Sequence, residues 1–184
     1  IITTLPRRPS LSVPQPLSID SSTPFSISAV APSVNISSIA FPAIYAPGVV
    51  GIMSVSLDLD HSASGDLDVT LTSPSGTIVT LTSGNGQSYS NCFSSAGFNT
   101  IADTGHPVPY SANNKLVTDY PYSINGSIGS VAPEESLVAF TGEPAAGTWL
   151  LTVSDHNSTN GGSLNSWSIQ IFPYQYPDVD ADGQ

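Results

Sequence analysis

The chain has 184 residues and a net charge of −11, with three basic side chains against fourteen acidic ones. Hydrophobic residues make up 39% of it, enough for a core, but charged residues make up only 9%, against roughly 25% in an average globular domain. Because three basic side chains cannot neutralise a phosphate backbone, we expect no nucleic-acid partner. No apolar run approaches the roughly 18 residues of a membrane-spanning helix, so we expect no membrane span.

Residues 1–25 have the composition of a linker. They contain five prolines and little apolar periodicity, which is typical of a semi-extended, proline-rich segment. Leu17 to Ile19 is the part of this segment that we expect to pair at a sheet edge.

Between residues 26 and 174 the dominant period of hydrophobicity is two. Val55, Leu57 and Leu59 alternate with polar residues, and residues 66–72 repeat the pattern. Such alternation predicts strands with one face in a core, and no stretch has the period of a helix. The predicted strands are 36–41, 49–60, 66–73, 77–83, 97–102, 136–141, 148–154 and 164–172. About eight strands in one domain indicate an all-β sandwich or barrel.

One turn of this sandwich is visible in the sequence. The segment Ser73-Pro-Ser-Gly-Thr77 separates two predicted strands. Proline followed by glycine is turn chemistry, so residues 66–83 are predicted to form a β-hairpin.

The stretch 84–135 is rich in Gly, Asn, Ser and Tyr and predicts loops and short edge strands at one end of the sandwich. Its tyrosines are candidates for an exposed patch that binds carbohydrate or peptide. They are Tyr89, Tyr110, Tyr120 and Tyr122. Cys92 has no second cysteine to pair with, and we interpret it as a small, partly buried apolar side chain.

The last predicted strands carry Trp149 and Trp167 in their apolar phase, which predicts that both indoles lie in the core. After them, residues 175–184 form an acidic tail with Asp178, Asp180 and Asp182 before Gly183. This spacing resembles the opening of a calcium loop in a calcium repeat or dockerin-like segment.

Catalytic motifs are missing from this sequence. There is no G-x-S-x-G elbow for a serine hydrolase and no H-E-x-x-H or paired cysteines for zinc. The histidines His61, His106 and His156 are dispersed. We therefore predict that the chain is not an enzyme.

Several segments in chain order resemble the P domain, or Homo B domain, of proprotein convertases and secreted subtilisin-like proteases. The resemblance is carried by Gly65-Asp66-Leu67, Leu71-Thr-Ser-Pro-Ser-Gly-Thr77, Gly147-Thr-Trp149 and Gly162-Ser-Leu-Asn-Ser-Trp167, and it covers 26–174. It implies a jelly-roll β-sandwich of about eight antiparallel strands, in a secreted protein whose parent is a serine endopeptidase. The partner that it implies is the adjacent catalytic domain of the parent chain.

Calcium is the cofactor that the sequence favours. Asp60 and Asp66 flank one short loop, where two carboxylates repel each other unless a cation bridges them. Asp103 and Asp155 end predicted strands, and the resemblance implies that acids recur at 66, 103 and 155. The candidate ligands are therefore Asp66, Asp103 and Asp155, before Asp60 and Asp58. The alternative for Asp66 and Asp155 is that they cap turns by accepting N–H bonds. Asp58 is also interpreted as a solvated carboxylate on a strand face.

These observations predict a non-catalytic module that stabilises, regulates or targets an attached protease domain. The alternative function is an extracellular module that binds a carbohydrate or protein ligand through the tyrosine-bearing loops.

Overall fold

The structure is a computed structural model that describes residues 16–21, 23–30, 32–43, 48–99 and 115–174. These residues form ten β-strands and three short 3₁₀-helices. The strands are β1 Leu17–Ser21, β2 Phe25–Ile27, β3 Ser33–Phe41, β4 Val49–His61, β5 Leu67–Thr72, β6 Ile78–Ser83, β7 Ala96–Asn99, β8 Ser130–Val131, β9 Gly147–Asp155 and β10 Gly162–Tyr174. Within the described ranges, no helix has the length and apolar character needed to cross a membrane.

The strands form two sheets. Sheet A has the order β1-β10-β4-β7-β8, with β2 also pairing with β10, and sheet B has the order β3-β9-β5-β6. The alternation seen in the sequence sends one set of side chains between the sheets, where Leu57 and Leu151 are almost fully buried. The all-β sandwich predicted from the sequence is confirmed.

Both tryptophans lie in the core, as predicted. Trp149 is 0% exposed and Trp167 is 2% exposed. The ring of Phe140 packs edge-on against Trp149 with 5.1 Å between centroids, and the Trp149 Nε1–H donates to the Ala145 carbonyl at 3.1 Å. The Trp167 Nε1–H crosses from sheet A to sheet B and donates to Ser37 Oγ at 2.8 Å, so neither buried donor is left unpaired.

The predicted hairpin is also confirmed, because β5 and β6 pair antiparallel. In its turn the Ser73 amide donates to the Thr77 carbonyl at 2.9 Å. Gly76 has a φ of 91°, which a residue with a side chain rarely adopts.

Three details of the prediction are wrong. The described residues contain ten strands instead of about eight, because β1, β2 and β8 are short edge strands. β7 and β8 pair in parallel, so the strands are not all antiparallel. Residues 136–141 contain a 3₁₀-helix, Leu137–Phe140, instead of a strand. Its two buried residues are three positions apart, which places them on one side of a 3₁₀-helix.

The first strand, β1, lies within the segment 1–25 that the sequence assigns to the linker. It pairs antiparallel with β10 at the edge of sheet A, with Leu17 opposite Ile171 and Ser21 opposite Trp167. Residues 1–15 and 175–184, which hold the rest of the linker and the acidic tail, lie outside the described residues.

Candidate functional site

Two regions bring polar side chains together. The first is the loop end, which we define as residues 61–66, 84–95 and 155–161 at one end of the sandwich. The second is the serine trough, a depression on the outer face of sheet A that is defined below by its lining residues. Of the five predicted calcium ligands, Asp66 and Asp155 lie at the loop end and Asp58 lines the trough. Asp60 lies on β4 outside both regions, and Asp103 lies outside the described residues.

A buried histidine–aspartate pair joins the two sheets at the loop end. His61 ends β4 in sheet A, and Asp155 ends β9 in sheet B. Their Nε2 and Oδ2 atoms are 3.2 Å apart, and both side chains are 0% exposed. The other ring nitrogen, Nδ1, is 2.7 Å from the Ala63 carbonyl oxygen and must be the donor there, because a carbonyl only accepts. The 3.3 Å approach of the Ala63 amide to the same Nδ1 is then not a second bond.

Asn157 connects Asp155 to Asp66. Its backbone amide donates to Asp155 Oδ1 at 2.9 Å, and its side-chain Nδ2 donates to Asp66 Oδ1 at 3.4 Å. The second oxygen of Asp66 accepts from Asn160 Nδ2 at 2.7 Å. The structure thus brings two predicted ligands to one asparagine, and amide donors of the chain itself hold both carboxylates.

The 62–66 loop is packed tightly against the 84–95 loop. The Gly65 amide donates to the Gln87 carbonyl at 2.9 Å, and a Cβ at Gly65 would lie only 2.5 Å from the Gln87 carbonyl oxygen. Ser64 Oγ accepts from the Cys92 amide at 3.0 Å. Cys92 is 0% exposed, and this burial raises the pKa of its thiol. Glycine at position 65 is therefore required by the close approach of two backbones.

Asp58 and Asp60 lie elsewhere, on the outer face of sheet A. Asp60 Oδ2 accepts from Asn165 Nδ2 on the neighbouring strand at 2.9 Å, and Asp58 Oδ1 accepts from Ser94 Oγ at 3.2 Å. In the part of the chain that the structure describes, no group of three or more His, Cys, Asp or Glu side chains is placed to hold a metal ion. Calcium therefore stays a prediction, with Asp66 and Asp155 as the pair that the fold brings together.

The serine trough has a volume of about 390 Å³. It is lined by Asp20, Ser56, Leu57, Asp58, Ser95, Ser166, Trp167 and Ser168. Its floor follows one row of the sheet, in which Asp20 on β1 is opposite Ser168 on β10, Ser168 is opposite Ser56 on β4, and Ser56 is opposite Gly97 on β7. Short side chains in adjacent strands leave a depression, with a carboxylate at the end of the row.

A second depression of about 300 Å³ lies beside the trough and shares Ser56 with it. Its exposed apolar residues are Ile52 at 36% and Phe172 at 40%. The outer face of sheet A therefore has an acidic part and an apolar part that meet at β4. Sequence reasoning missed this surface, although serines at alternate positions on two strands, Ser54 and Ser56 with Ser166 and Ser168, were visible.

Among the described residues, no lysine or arginine lines the trough. Lys115 is the one lysine or arginine within the described ranges, because Arg7 and Arg8 lie outside them. The two ion pairs of the described residues both join a histidine to an aspartate of another strand, and neither includes Asp20 or Asp58. Within the described ranges, the trough therefore presents negative charge that no lysine or arginine pairs with.

The predicted tyrosine patch is partly built into the core. Tyr89, Tyr120 and Tyr122 are half-buried and pack against the core cluster. The rings of Tyr120 and Tyr122 are 5.1 Å apart, and the Tyr122 hydroxyl donates to the Val117 carbonyl at 2.9 Å. Burial raises the pKa of Tyr122. Tyr110 lies outside the described residues.

Comparison with protein families finds one match. The model of the proprotein convertase P-domain matches residues 50–108 and 110–171. These ranges include β4 to β7 and most of β8 to β10, and they contain the loop end. No curated protein matches the chain.

Two solved structures are similar at low identity. One is a chain of the complex between the serine protease of Aeromonas sobria and the chaperone, with 18% identity and a TM-score of 0.41. The other is the serine protease of Aeromonas sobria, with 18% identity and a TM-score of 0.39. In both cases the match covers 89% of this chain but only 28% of the solved chain.

Proposed function

Since the chain belongs to the proprotein convertase P-domain family, we propose that it is a non-catalytic module of a secreted serine endopeptidase that packs against the adjacent catalytic domain and stabilises it. The observation that carries this proposal is the family match across residues 50–108 and 110–171. The physical route is linkage, because a module that binds only the folded form of its neighbour raises the free energy of unfolding of that neighbour.

The serine trough is the face that we assign to this contact. Three observations support the assignment. The trough is lined mostly by serine and aspartate, whose side chains are short, so another surface can approach the sheet closely. Asp20 and Asp58 offer negative charge to Lys or Arg side chains of a partner. Asp20 lies on β1, the first strand of the sandwich, so a domain that precedes the module would be attached beside this face.

The loop end has a different role in the proposal. Its carboxylates are bonded within the chain, and its buried pair joins β4 to β9. We assign to it the task of holding the two sheets together. The proposed calcium ion would add to that task by replacing the amide donors around Asp66 and Asp155.

The test of the proposal uses the catalytic domain of the parent protein, expressed with and without this module. We expect the catalytic domain to melt at a higher temperature with the module attached. The double variant Asp20→Asn and Asp58→Asn should reduce this difference, while Asp119→Asn, which changes an exposed carboxylate outside the trough, should leave it unchanged.

Two results would overturn the proposal. The first is a catalytic domain whose melting does not depend on the module. The second is a parent sequence without a protease domain. Specific binding on a glycan array, without an effect on the neighbouring domain, would favour the alternative of a ligand-binding module.

A further inference from the structure

Three Asn-Gly pairs occur in the chain, at Asn85-Gly86, Asn125-Gly126 and Asn160-Gly161. In such a pair the backbone nitrogen of glycine can attack the side-chain amide of the asparagine, because glycine has no Cβ to obstruct the approach. The three pairs have the same local sequence chemistry, so differences between them must come from their surroundings.

The hydroxyl of Ser62 lies against the reacting atoms of the third pair. Ser62 Oγ accepts the Gly161 N–H at 3.2 Å, and the same oxygen lies 3.4 Å from Asn160 Oδ1, to which it donates. The Gly161 carbonyl oxygen, at 3.2 Å, is the alternative acceptor for the one hydrogen of this hydroxyl. One hydroxyl therefore contacts both the nitrogen that attacks and the carbonyl oxygen that gains charge during the attack.

The side-chain nitrogen of Asn160, which leaves in the reaction, contacts a carboxylate. Its Nδ2 donates to Asp66 Oδ2 at 2.7 Å. A carboxylate at this distance stabilises the positive charge that develops when the amide nitrogen takes up a proton. Both Asn160 and Gly161 are partly exposed, so water reaches the site.

The other two pairs are held in other ways. The side-chain amide of Asn85 is fixed by three acceptors, Thr82 Oγ1 at 3.1 Å, the Ser83 carbonyl at 3.2 Å and Glu134 Oε2 at 3.0 Å. The amide of Gly126, which would be the nucleophile in the second pair, donates to the Ser90 carbonyl at 2.9 Å. A carbonyl cannot pass a proton on to the oxygen of the attacked amide, whereas the Ser62 hydroxyl can.

We propose that Asn160 is a site of spontaneous deamidation that Ser62 promotes. The Gly161 nitrogen loses its proton and forms a bond to Cγ of Asn160, while the bond from Cγ to Nδ2 breaks and the nitrogen leaves as ammonia with that proton. The product is a five-membered succinimide. Water then opens the ring at either carbonyl and leaves aspartate or isoaspartate, so the net change is amide plus water to carboxylic acid plus ammonia, with no oxidant or reductant.

The modification changes the loop end. The new carboxylate faces Asp66 in place of an amide donor, and like charges at this distance repel. Isoaspartate also inserts a methylene into the backbone just before Gly161, where a Cβ would already lie 3.1 Å from the Ile27 carbonyl oxygen. The 155–161 segment therefore loosens beside the buried pair of His61 and Asp155. This inference goes beyond the proposed function and does not depend on a protease partner.

The test is to incubate the purified protein at neutral pH and to follow each Asn-Gly pair by peptide mapping in a mass spectrometer, with isoaspartyl methyltransferase to detect isoaspartate. We expect Asn160 to react about tenfold faster than Asn85 and Asn125, which corresponds to ~1.4 kcal/mol in the barrier. The Ser62→Ala variant should slow the reaction at Asn160 alone, and Ser62→Thr should restore it. Asn160→Gln is the control in which signal from this site disappears.

A second measurement keeps the proposal testable if Ser62→Ala does not fold. In denaturant the three pairs of the unchanged protein should react at similar rates, so folding should protect Asn85 and Asn125 but not Asn160. The proposal is overturned if folding protects Asn160 as much as the others. It is also overturned if a folded Ser62→Ala variant reacts at Asn160 as fast as the unchanged protein or faster.

Discussion

The loop end and the serine trough treat their carboxylates in opposite ways. At the loop end, Asp66 and Asp155 accept hydrogen bonds from asparagine and histidine groups of the chain itself. In the trough, Asp58 accepts one bond from a serine and Asp20 is exposed. The difference indicates that the acidic residues of this chain have two separate roles. Asp155 bonds across the two sheets, whereas Asp20 and Asp58 line the outer face of sheet A, where we propose that they contact a partner.

The largest loss of stability is expected in the core, and it is the reference for the effects in both regions. Trp149→Ala should lower the free energy of unfolding by ~3–5 kcal/mol, the range for truncation of a buried aromatic side chain. It would leave a cavity beside Phe140 and the Ala145 carbonyl without its donor. Urea denaturation followed by tryptophan fluorescence measures the change, and a variant that unfolds like the original protein would contradict the burial.

At the loop end, Asp155→Ala should lower the free energy of unfolding by nearly as much as Trp149→Ala. Removal of one member of a buried pair costs ~3–5 kcal/mol because the other is left without a partner, and here His61 would lose the acceptor at Nε2. Urea denaturation gives the global effect. Thiol labelling of Cys92, which is 0% exposed, reports local opening and should become faster in native buffer. If neither measurement changes, the pair does not hold the sheets together.

Calcium would sharpen the comparison if it binds where the sequence predicts. A structural ion should raise the free energy of unfolding by ~2.7 kcal/mol at about a hundredfold excess over its dissociation constant. Melting in a chelator, in calcium chloride and in magnesium chloride measures the effect. Asp66→Asn should abolish it, whereas Asp58→Asn should not. Superimposable melts, with no calcium retained after desalting, would leave the internal donors as the sole partners of these aspartates.

The smallest effect is expected in the trough. Asp58→Asn should change the free energy of unfolding of the isolated module by less than about 0.5 kcal/mol, as is usual for surface substitutions that break no buried contact. Asp155→Asn is the matched substitution at the loop end, and it should be clearly more destabilising. If chemical denaturation gave the same loss of unfolding free energy for both variants, Asp58 would be as important to the fold as Asp155.

The local parts of the fold could be predicted from the sequence. Alternation along β4, the apolar phase of Trp149 and Trp167, and the turn at Ser73 to Thr77 all depend on residues close together in the chain. Such patterns determine which face of a strand is buried without knowledge of its neighbours. Residues 137–140 were predicted as part of a strand because a short apolar stretch does not distinguish alternation from the three-residue spacing of a 3₁₀-helix.

The two functional regions could be predicted only in part. The sequence predicted that Asp60 and Asp66 flank one short loop, but it did not show that the chain passes from sheet A to sheet B between them. It also could not show the trough, because that depression depends on which residues of β1, β10, β4 and β7 are opposite each other. Pairing between distant strands is set by the packing of the whole sandwich and is not encoded in any one segment.

The pairing of the first strand with the last has a mechanical consequence. Leu17 begins β1 opposite Ile171 near the end of β10, so the chain enters and leaves the sandwich side by side at one end of the same sheet. Tension applied through both flanks would load the hydrogen bonds of this antiparallel pair one after another, starting at Leu17, and would peel β1 away instead of shearing it. The same arrangement holds Leu17 and Ile171, near the points where the chain enters and leaves the sandwich, one strand spacing apart. The folded sandwich thus holds these two points together, and detachment of β1 would separate them and expose the part of the core that Leu17 and Ile19 cover.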